Sequence, residues 1–369
     1  MEILQNYLYW TRDPRDVSAL ASSSFNFSKA IPTIEMDASY WIVKLEVQYE
    51  LKIREKVETR VLRELYELIF VNRSNLQKVF EYCYKNNKAE CVSILLQDDR
   101  VDPAAKDNYA IRFAAEIGHL AIVSILLQDS RIDPAADDNY AIRIASQNGH
   151  LAVVDRLLHD ERVDPTAKDN YAIQIASRKG HLAVVERLLQ DDRVDPAAKD
   201  NYAIRSSSWY GHLAIVERLL QDKRVDPAAK DNYAIRFAAE MGHLAVVERL
   251  LQDKRVDPSA DNNYAIRLAS WEGHLGVVER LLQDKRVDPA VNNNDVIQSA
   301  AGNGRLAILE RLLKDKRVNP SAKDNYAIRI AVENGRLAIV NRLLQDKRVT
   351  KKLSQTELEN YRRQTSQIK

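Results

Sequence analysis

Cysteine is scarce: two residues in a chain of 369 cannot build a disulfide framework and fit a reducing compartment. No apolar run approaches the roughly 18 residues of a membrane span. The first ten residues, MEILQNYLYW, have neither a basic start nor a small-residue cleavage site, so no signal peptide is expected. An excess of one charge is missing too. Fifty-five Lys and Arg stand against 53 Asp and Glu, a net charge of +2 without a global nucleic-acid signature. Glycine and proline number 10 each, few for a globular enzyme of this length. No Ser-His-Asp set, Gly-rich phosphate loop or HExxH pattern occurs, which leaves catalysis without a candidate residue. The chain is 45% hydrophobic and 29% charged, a composition that builds a core and does not describe a disordered chain.

Length alone would suggest two or three domains of about 150 residues, but an internal period overturns that count. Val101-Asp102-Pro103 recurs at Ile132, Val163, Val194, Val225, Val256 and Val287, and as Val-Asn-Pro at Val318, always 31 residues on. Eight copies therefore fill residues 101–348 without insertion, and a degenerate unit ending in VSILLQDDR fits residues 70–100. All 10 glycines lie in the eight copies, and eight of the 10 prolines fill one position of the period.

One copy, VDPAAKDNYAIRFAAEMGHLAVVERLLQDKR at residues 225–255, reads as two short helices. Asn232, constant in all copies, is placed as an N-cap. Ala234, Ile235, Ala238 and Ala239 form a narrow face that admits a close neighbour. Gly242 supplies the positive φ of a helix stop. Leu244, Val246, Val247, Leu250 and Leu251 then recur at helical spacing. Helices this short do not stand alone in water, so each pair must bury its apolar face on the next, as a solenoid does.

GHLAVVERLL resembles the second helix of the ankyrin-repeat family, and YAIRFAA lies where that family reads T-P-L-H-x-A-A. The resemblance covers residues 70–348. It implies an all-α solenoid of helix pairs, although a period of 31 rather than 33 implies shortened or absent hairpin fingers. Tyr-Ala-Ile-Arg in place of Thr-Pro-Leu-His removes the usual Thr and His hydrogen bonds. This short form resembles one common in large DNA viruses of amoebae.

The ends depart from the period. Residues 1–69 form an N-terminal segment whose first 38 residues read as irregular, with SALASSSFNFSKAIPT a loop. Trp41, Val43, Leu45, Val47, Tyr49, Leu51 and Ile53 alternate strictly, which predicts a strand. Val57, Val61, Leu62, Leu65, Tyr66 and Ile69 share a helical face over Glu55 to Phe70. Strand and helix together would cap the array. Residues 349–369 read as a capping helix and basic tail, because Ser354 and Glu357 have capping-box spacing and predict a helix to about Arg363.

Three ladders of constant residues read as structural. His119, His150, His181, His212, His243 and His274 should stand one layer, about 8–10 Å, apart, too far to share a zinc ion bound at about 2.0–2.1 Å. Arg112, Arg143, Arg205, Arg236, Arg267 and Arg329 are expected to pair with carboxylates such as Glu116 or Glu240 at i+4; the competing reading is a phosphate-binding stripe. Tyr109 through Tyr264, then Tyr326, read as mortar between copies. Cys83 and Cys91 read as buried thiols. No metal and no cofactor is expected.

Positions constant in every copy serve stacking, whereas positions that vary are free to serve a partner. The most variable are the pair before each glycine, among them Arg178-Lys179, Trp209-Tyr210, Glu240-Met241 and Trp271-Glu272. The family resemblance places these along a concave binding surface. Trp209, Tyr210, Met241 and Trp271, with Glu240 and Arg178, are therefore the candidate partner-binding residues; the competing reading packs Trp209 inward over Ser206, Ser207 and Ser208. Charge also shifts along the array, from net −3 in the second copy to +3 in the eighth. The expected function is a non-enzymatic intracellular scaffold for a protein partner, monomeric, in cytoplasm or nucleus, or in the host cytoplasm if viral. Two alternatives stay open: nucleic acid or an anionic surface bound through the basic C-terminal half, and an array that targets an N-terminal effector segment.

Overall fold

Two short amphipathic helices and the connection to the next pair make up each copy, and the connection decides how copies join. The computed structural model describes residues 38–53, 57–72 and 75–366. The loop reading of the N-terminus lies, up to residue 37, outside the described residues. All regular elements among the described residues are helices, which fall into two units, residues 1–164 and 165–369.

The first unit opens with α1 (Ala38–Tyr49) and α2 (Thr59–Val71), followed by three pairs: α3 (Leu76–Lys85) with α4 (Ala89–Leu95), α5 (Ala105–Ile117) with α6 (Leu120–Leu126), and α7 (Ala136–Asn148) with α8 (Leu151–Leu158). The second unit holds six pairs. They are α9 (Ala167–Lys179) with α10 (Leu182–Leu188), α11 (Ala198–Trp209) with α12 (Leu213–Leu220), and α13 (Ala229–Glu240) with α14 (Leu244–Leu251). Then come α15 (Ala260–Glu272) with α16 (Leu275–Leu282), α17 (Val291–Gly302) with α18 (Leu306–Leu313), and α19 (Ala322–Glu333) with α20 (Leu337–Leu344). A turn of helix, α21 (Lys347–Thr350), and α22 (Gln355–Ser366) close the chain, α22 packing on α20.

Within each unit, first helices pack on first helices and second on second. The close approach of first helices follows from their alanines: Ala234, Ala238 and Ala239 of α13 are fully buried. Val246, Val247 and Leu250 of α14 are buried likewise, each such side chain stabilising by about 1.5–3 kcal/mol relative to exposure. At the start of α22, Ser354 N–H donates to Glu357 Oε2 (2.9 Å) and Glu357 N–H to Ser354 Oγ (3.3 Å), a closed capping box.

The N-terminal strand is a correction: Trp41–Tyr49 is helical, as part of α1. Strict alternation contains every i, i+4 pair, and the helix uses that subset. Leu45 and Tyr49 are buried, whereas Val43 and Val47 between them are exposed. A strand here would have no neighbour to pair with, since no strand exists among the described residues. A helix instead satisfies its own backbone and lays Trp41 and Tyr49 against Tyr66 of α2, at ring-centroid distances of 5.4 and 5.6 Å.

The connection between copies contains a left-handed turn in place of a hairpin finger. Lys230, Asp231 and Asn232 have φ of 55°, 53° and 60°, and each of the eight copies repeats this at the same three positions. Left-handed backbone costs most residues roughly 1–2 kcal/mol, and Asn and Asp tolerate it best. The N-cap assignment of Asn232 is therefore corrected. Its side chain makes no cap bond in α13; its Oδ1 accepts the N–H of Asp257 in the next copy at 2.7 Å. Asn108, Asn139, Asn170, Asn201 and Asn263 do the same. Asn325, the last of the series, has a buried Oδ1 with no donor because no further copy follows in the array.

A second brace runs the other way. Arg255 forms a fork onto both oxygens of Asp253 (3.0 and 2.7 Å) and reaches back to donate to the carbonyl of Val225 in the preceding copy (2.8 Å). Arg131, Arg162, Arg224, Arg286, Arg317 and Arg348 repeat it. Arg100 makes the same reach to the carbonyl of Tyr49 (2.7 Å), so α1 is tied to the first unit by the device that joins the copies.

Candidate binding surface

The left-handed turn turns two backbone carbonyls outward, and the arginine of each first helix answers them. Arg205 donates from Nε to the carbonyl of Asp200 (2.8 Å) and from Nη2 to that of Lys199 (3.0 Å). Arg112, Arg143, Arg236 and Arg329 also donate to carbonyls of their own turns. Where glutamine replaces arginine, Gln174 and Gln298 still donate to the carbonyls of Asp169 and Asn293. The expected pairing with Glu116 or Glu240 is corrected accordingly. Three of these arginines reach a carboxylate of the next copy, Asp137 for Arg112, Asp261 for Arg236 and Asp295 for Arg267, and Arg112 also lies 4.0 Å from Asp107 of its own turn. The tyrosine ladder encloses the same guanidinium groups, Arg205 lying over Tyr202 and Tyr233 at 5.6 and 5.0 Å.

The histidine ladder sits at the other end of the first helix. The Nε2–H of His243 donates to the carbonyl of Trp209 at 2.9 Å, and its ring packs against Gly211, which has φ of +77°. Arg305 and Arg336 replace histidine with the same reach, to Trp271 and Gly302. No group of three His, Cys, Asp or Glu side chains among the described residues could hold a metal ion. Cys83 and Cys91 are buried and unbridged.

Against this constant frame, the variable pairs differ in exposure. Tyr210, Met241 and Trp271 are 46%, 38% and 51% exposed. Trp209 is half-buried, its ring stacked on Phe237 of the following copy at 4.7 Å and 17°. Arg178 is exposed and lies over the Tyr210 ring at 5.5 Å; its hydrogen bond with the Tyr210 phenol raises its already high pKa. Glu240 faces Tyr264, and partial desolvation raises its pKa.

Arg178, Tyr202, Arg205, Ser206, Trp209, Tyr210 and Tyr233 line one depression of about 240 Å³. Three of the six candidates, Arg178, Trp209 and Tyr210, are thus brought together, and Glu240, Met241 and Trp271 are not part of its wall. Ser206 opens it, standing where six of the other seven copies carry a large side chain, Phe113, Ile144, Ile175, Phe237, Leu268 or Ile330, and one carries Ser299, which has no aromatic pair like Trp209 and Tyr210 beside it. The missing side chain leaves a gap between the rings. Tyr202, Arg205, Ser206 and Tyr233 were not among the candidates, although the small residue at a large-residue position is visible in the sequence.

Helix pairs stacked in a fixed 31-residue register, joined by side chains that reach from copy to copy, define a repeat protein. The family model described as ankyrin repeats (three copies) matches residues 80–169, 111–200, 142–231, 202–293 and 268–354. The chain belongs to the ankyrin-repeat family. No curated protein matches it. No helix among the described residues is long and apolar enough to cross a membrane. Ankyrin repeats are in general protein–protein interaction modules.

Proposed function

We propose that the chain is a non-enzymatic intracellular scaffold that holds a protein partner across the face bearing Arg178, Trp209, Tyr210, Glu240, Met241 and Trp271, the concave face of an ankyrin array. One observation carries this reading. Tyr210, Met241 and Trp271 are large, exposed apolar side chains at the positions where copies differ most. Exposed aromatic and Met side chains clustered over neighbouring copies are the usual anchors of an interface. The frame beneath is braced before binding, so little ordering entropy remains to be lost on association.

The test is photo-crosslinking from the full chain. A photoreactive residue replacing Trp271, Met241 or Tyr210 should capture one common partner, whereas the same residue at the exposed Gln190, in the turn that follows α10, should not. Tyr210→Ser combined with Trp271→Ser should abolish capture. Equal capture from position 190 would overturn the assignment of the face.

A further inference from the structure

Two cations, Arg178 and Arg205, line the depression at Ser206, and among the described residues neither has a carboxylate partner. Arg112, Arg236 and Arg267 pair with an aspartate of the next copy, but in the copy after Arg205 the position corresponding to Asp137 and Asp261 is Lys230. Lys230 is itself paired with Asp200 at 2.9 Å. Among the described residues no carboxylate bridges to Arg205 or Arg178. Nη1 of Arg205 is thus the donor that the turn carbonyls leave over, since Nε and Nη2 are used. Arg178, also in the wall, lies over the Tyr210 ring at 5.5 Å.

We propose that this depression receives the carboxylate of one glutamate or aspartate of a partner peptide, bridged between Arg205 and Arg178, with the stem of that side chain on the rings of Trp209 and Tyr233. The volume, about 240 Å³, admits one side chain, below the roughly 300–1,000 Å³ clefts that hold drug-sized ligands. Guanidinium groups held by ring faces and backbone carbonyls are already oriented, so a charge-assisted hydrogen bond forms at little ordering cost. The arrangement selects a single acidic residue over a polyanion. Glu240 and Glu272, the acidic members of the next two variable pairs, lie close enough for Glu272 to raise the pKa of Glu240. A nucleic-acid backbone or anionic bilayer needs a run of cations and would meet these two carboxylates instead.

This proposal rests on the partner-binding face proposed above and names the chemistry it reads. The test uses the full chain and labelled heptapeptide pools, randomised except for a central Glu, Gln, Lys or phosphoserine, with binding followed by fluorescence anisotropy. The Glu pool should bind about tenfold more tightly than the Gln pool, the discrimination of one charged hydrogen-bond acceptor. Arg205→Gln and Arg178→Gln should each bring the Glu pool down to the Gln pool. Glutamine is chosen because Gln174 and Gln298 keep the carbonyl bond that the turn requires. Arg178 is exposed and makes no such bond, so its variant stands even if Arg205→Gln melts early.

Equal binding of the Glu and Gln pools, or a Glu preference that survives the double variant, overturns the proposal. A phosphoserine pool far above the Glu pool also overturns it and reassigns the site to phosphate. Crosslinking through Trp271 decides the wider reading separately. Capture there without a Glu preference sinks only the carboxylate site, and a Glu preference without capture sinks only the partner face.

Discussion

The two ends of each first helix teach opposite lessons. At the N-terminal end the copies carry nearly the same side chains, and these meet the same partners: Asn Oδ1 on the next copy, arginine on the turn carbonyls. At the C-terminal end, before the glycine, neighbouring copies place Trp209-Tyr210, Glu240-Met241 and Trp271-Glu272. Sequence identity between copies thus marks the joints, and sequence difference marks surface that stacking does not need. Ser206 shows what a departure inside the constant frame does, since the gap it leaves becomes a lined depression.

Acid should break the constant end collectively. Asp98, Asp129, Asp160, Asp191, Asp222, Asp253, Asp284, Asp315 and Asp346 are each held below the ordinary carboxylate range, chiefly by hydrogen bonds from the arginine two residues on. A carboxyl with a depressed folded-state pKa stabilises fully above its unfolded value, about 3.9, and loses that contribution as pH falls through the folded value. Thermal melting followed from pH 7 to pH 2.5 should therefore stay nearly flat and then drop steeply below about pH 4. A midpoint near pH 6 would mean that the braces do not set the acid response.

Single braces should matter less but measurably. Arg255→Met strands both Asp253 and the Val225 carbonyl and should cost about 2 kcal/mol, moderated by the partial exposure of the pair. Lys254→Met, beside it and exposed, should stay within about 0.5 kcal/mol. Urea titration of the two variants measures the contrast, and equal midpoints would contradict the bracing role of Arg255.

The turn glycine separates backbone strain from packing. A Cβ on Gly211 would lie 2.6 Å from Nδ1 of His243, whereas one on Gly335 meets nothing within 4 Å; their φ values are +77° and +65°. Gly335→Ala should cost only the left-handed backbone term, about 1 kcal/mol, and Gly211→Ala about 1–2 kcal/mol more from the displaced ring. If the two melt together, the histidine ladder does not hold the copies.

How much of this the sequence made legible depends on where the partner of a side chain lies. Period and helix pairs follow from apolar spacing inside one copy, so Leu244 to Leu251 could be read directly. The capping box of Ser354 and Glu357 is likewise local. Asn232 and Arg205 mislead because their partners are a backbone N–H 25 residues on and carbonyls exposed by a left-handed turn, neither of which a linear spacing displays. Residues 41–53 mislead because alternation satisfies two periods at once, and only the absence of a neighbouring strand among the described residues decides between them.

The smallest stability effect is the sharpest probe of the variable end. Trp209 and Trp271 occupy the same variable position two copies apart, yet only Trp209 stacks on a neighbouring ring, Phe237. Trp271 is 51% exposed with no ring contact among the described residues. Trp209→Ala should therefore lower stability by about 1–2 kcal/mol, as a half-buried stacked ring does. Trp271→Ala should change it by less than about 0.5 kcal/mol. Partner capture should order the two differently, because an exposed anchor contributes to binding what it does not contribute to folding. Loss of capture in Trp271→Ala at unchanged melting temperature would place the binding energy at the variable end. Retained capture with a lowered melting temperature would make that tryptophan another piece of the frame.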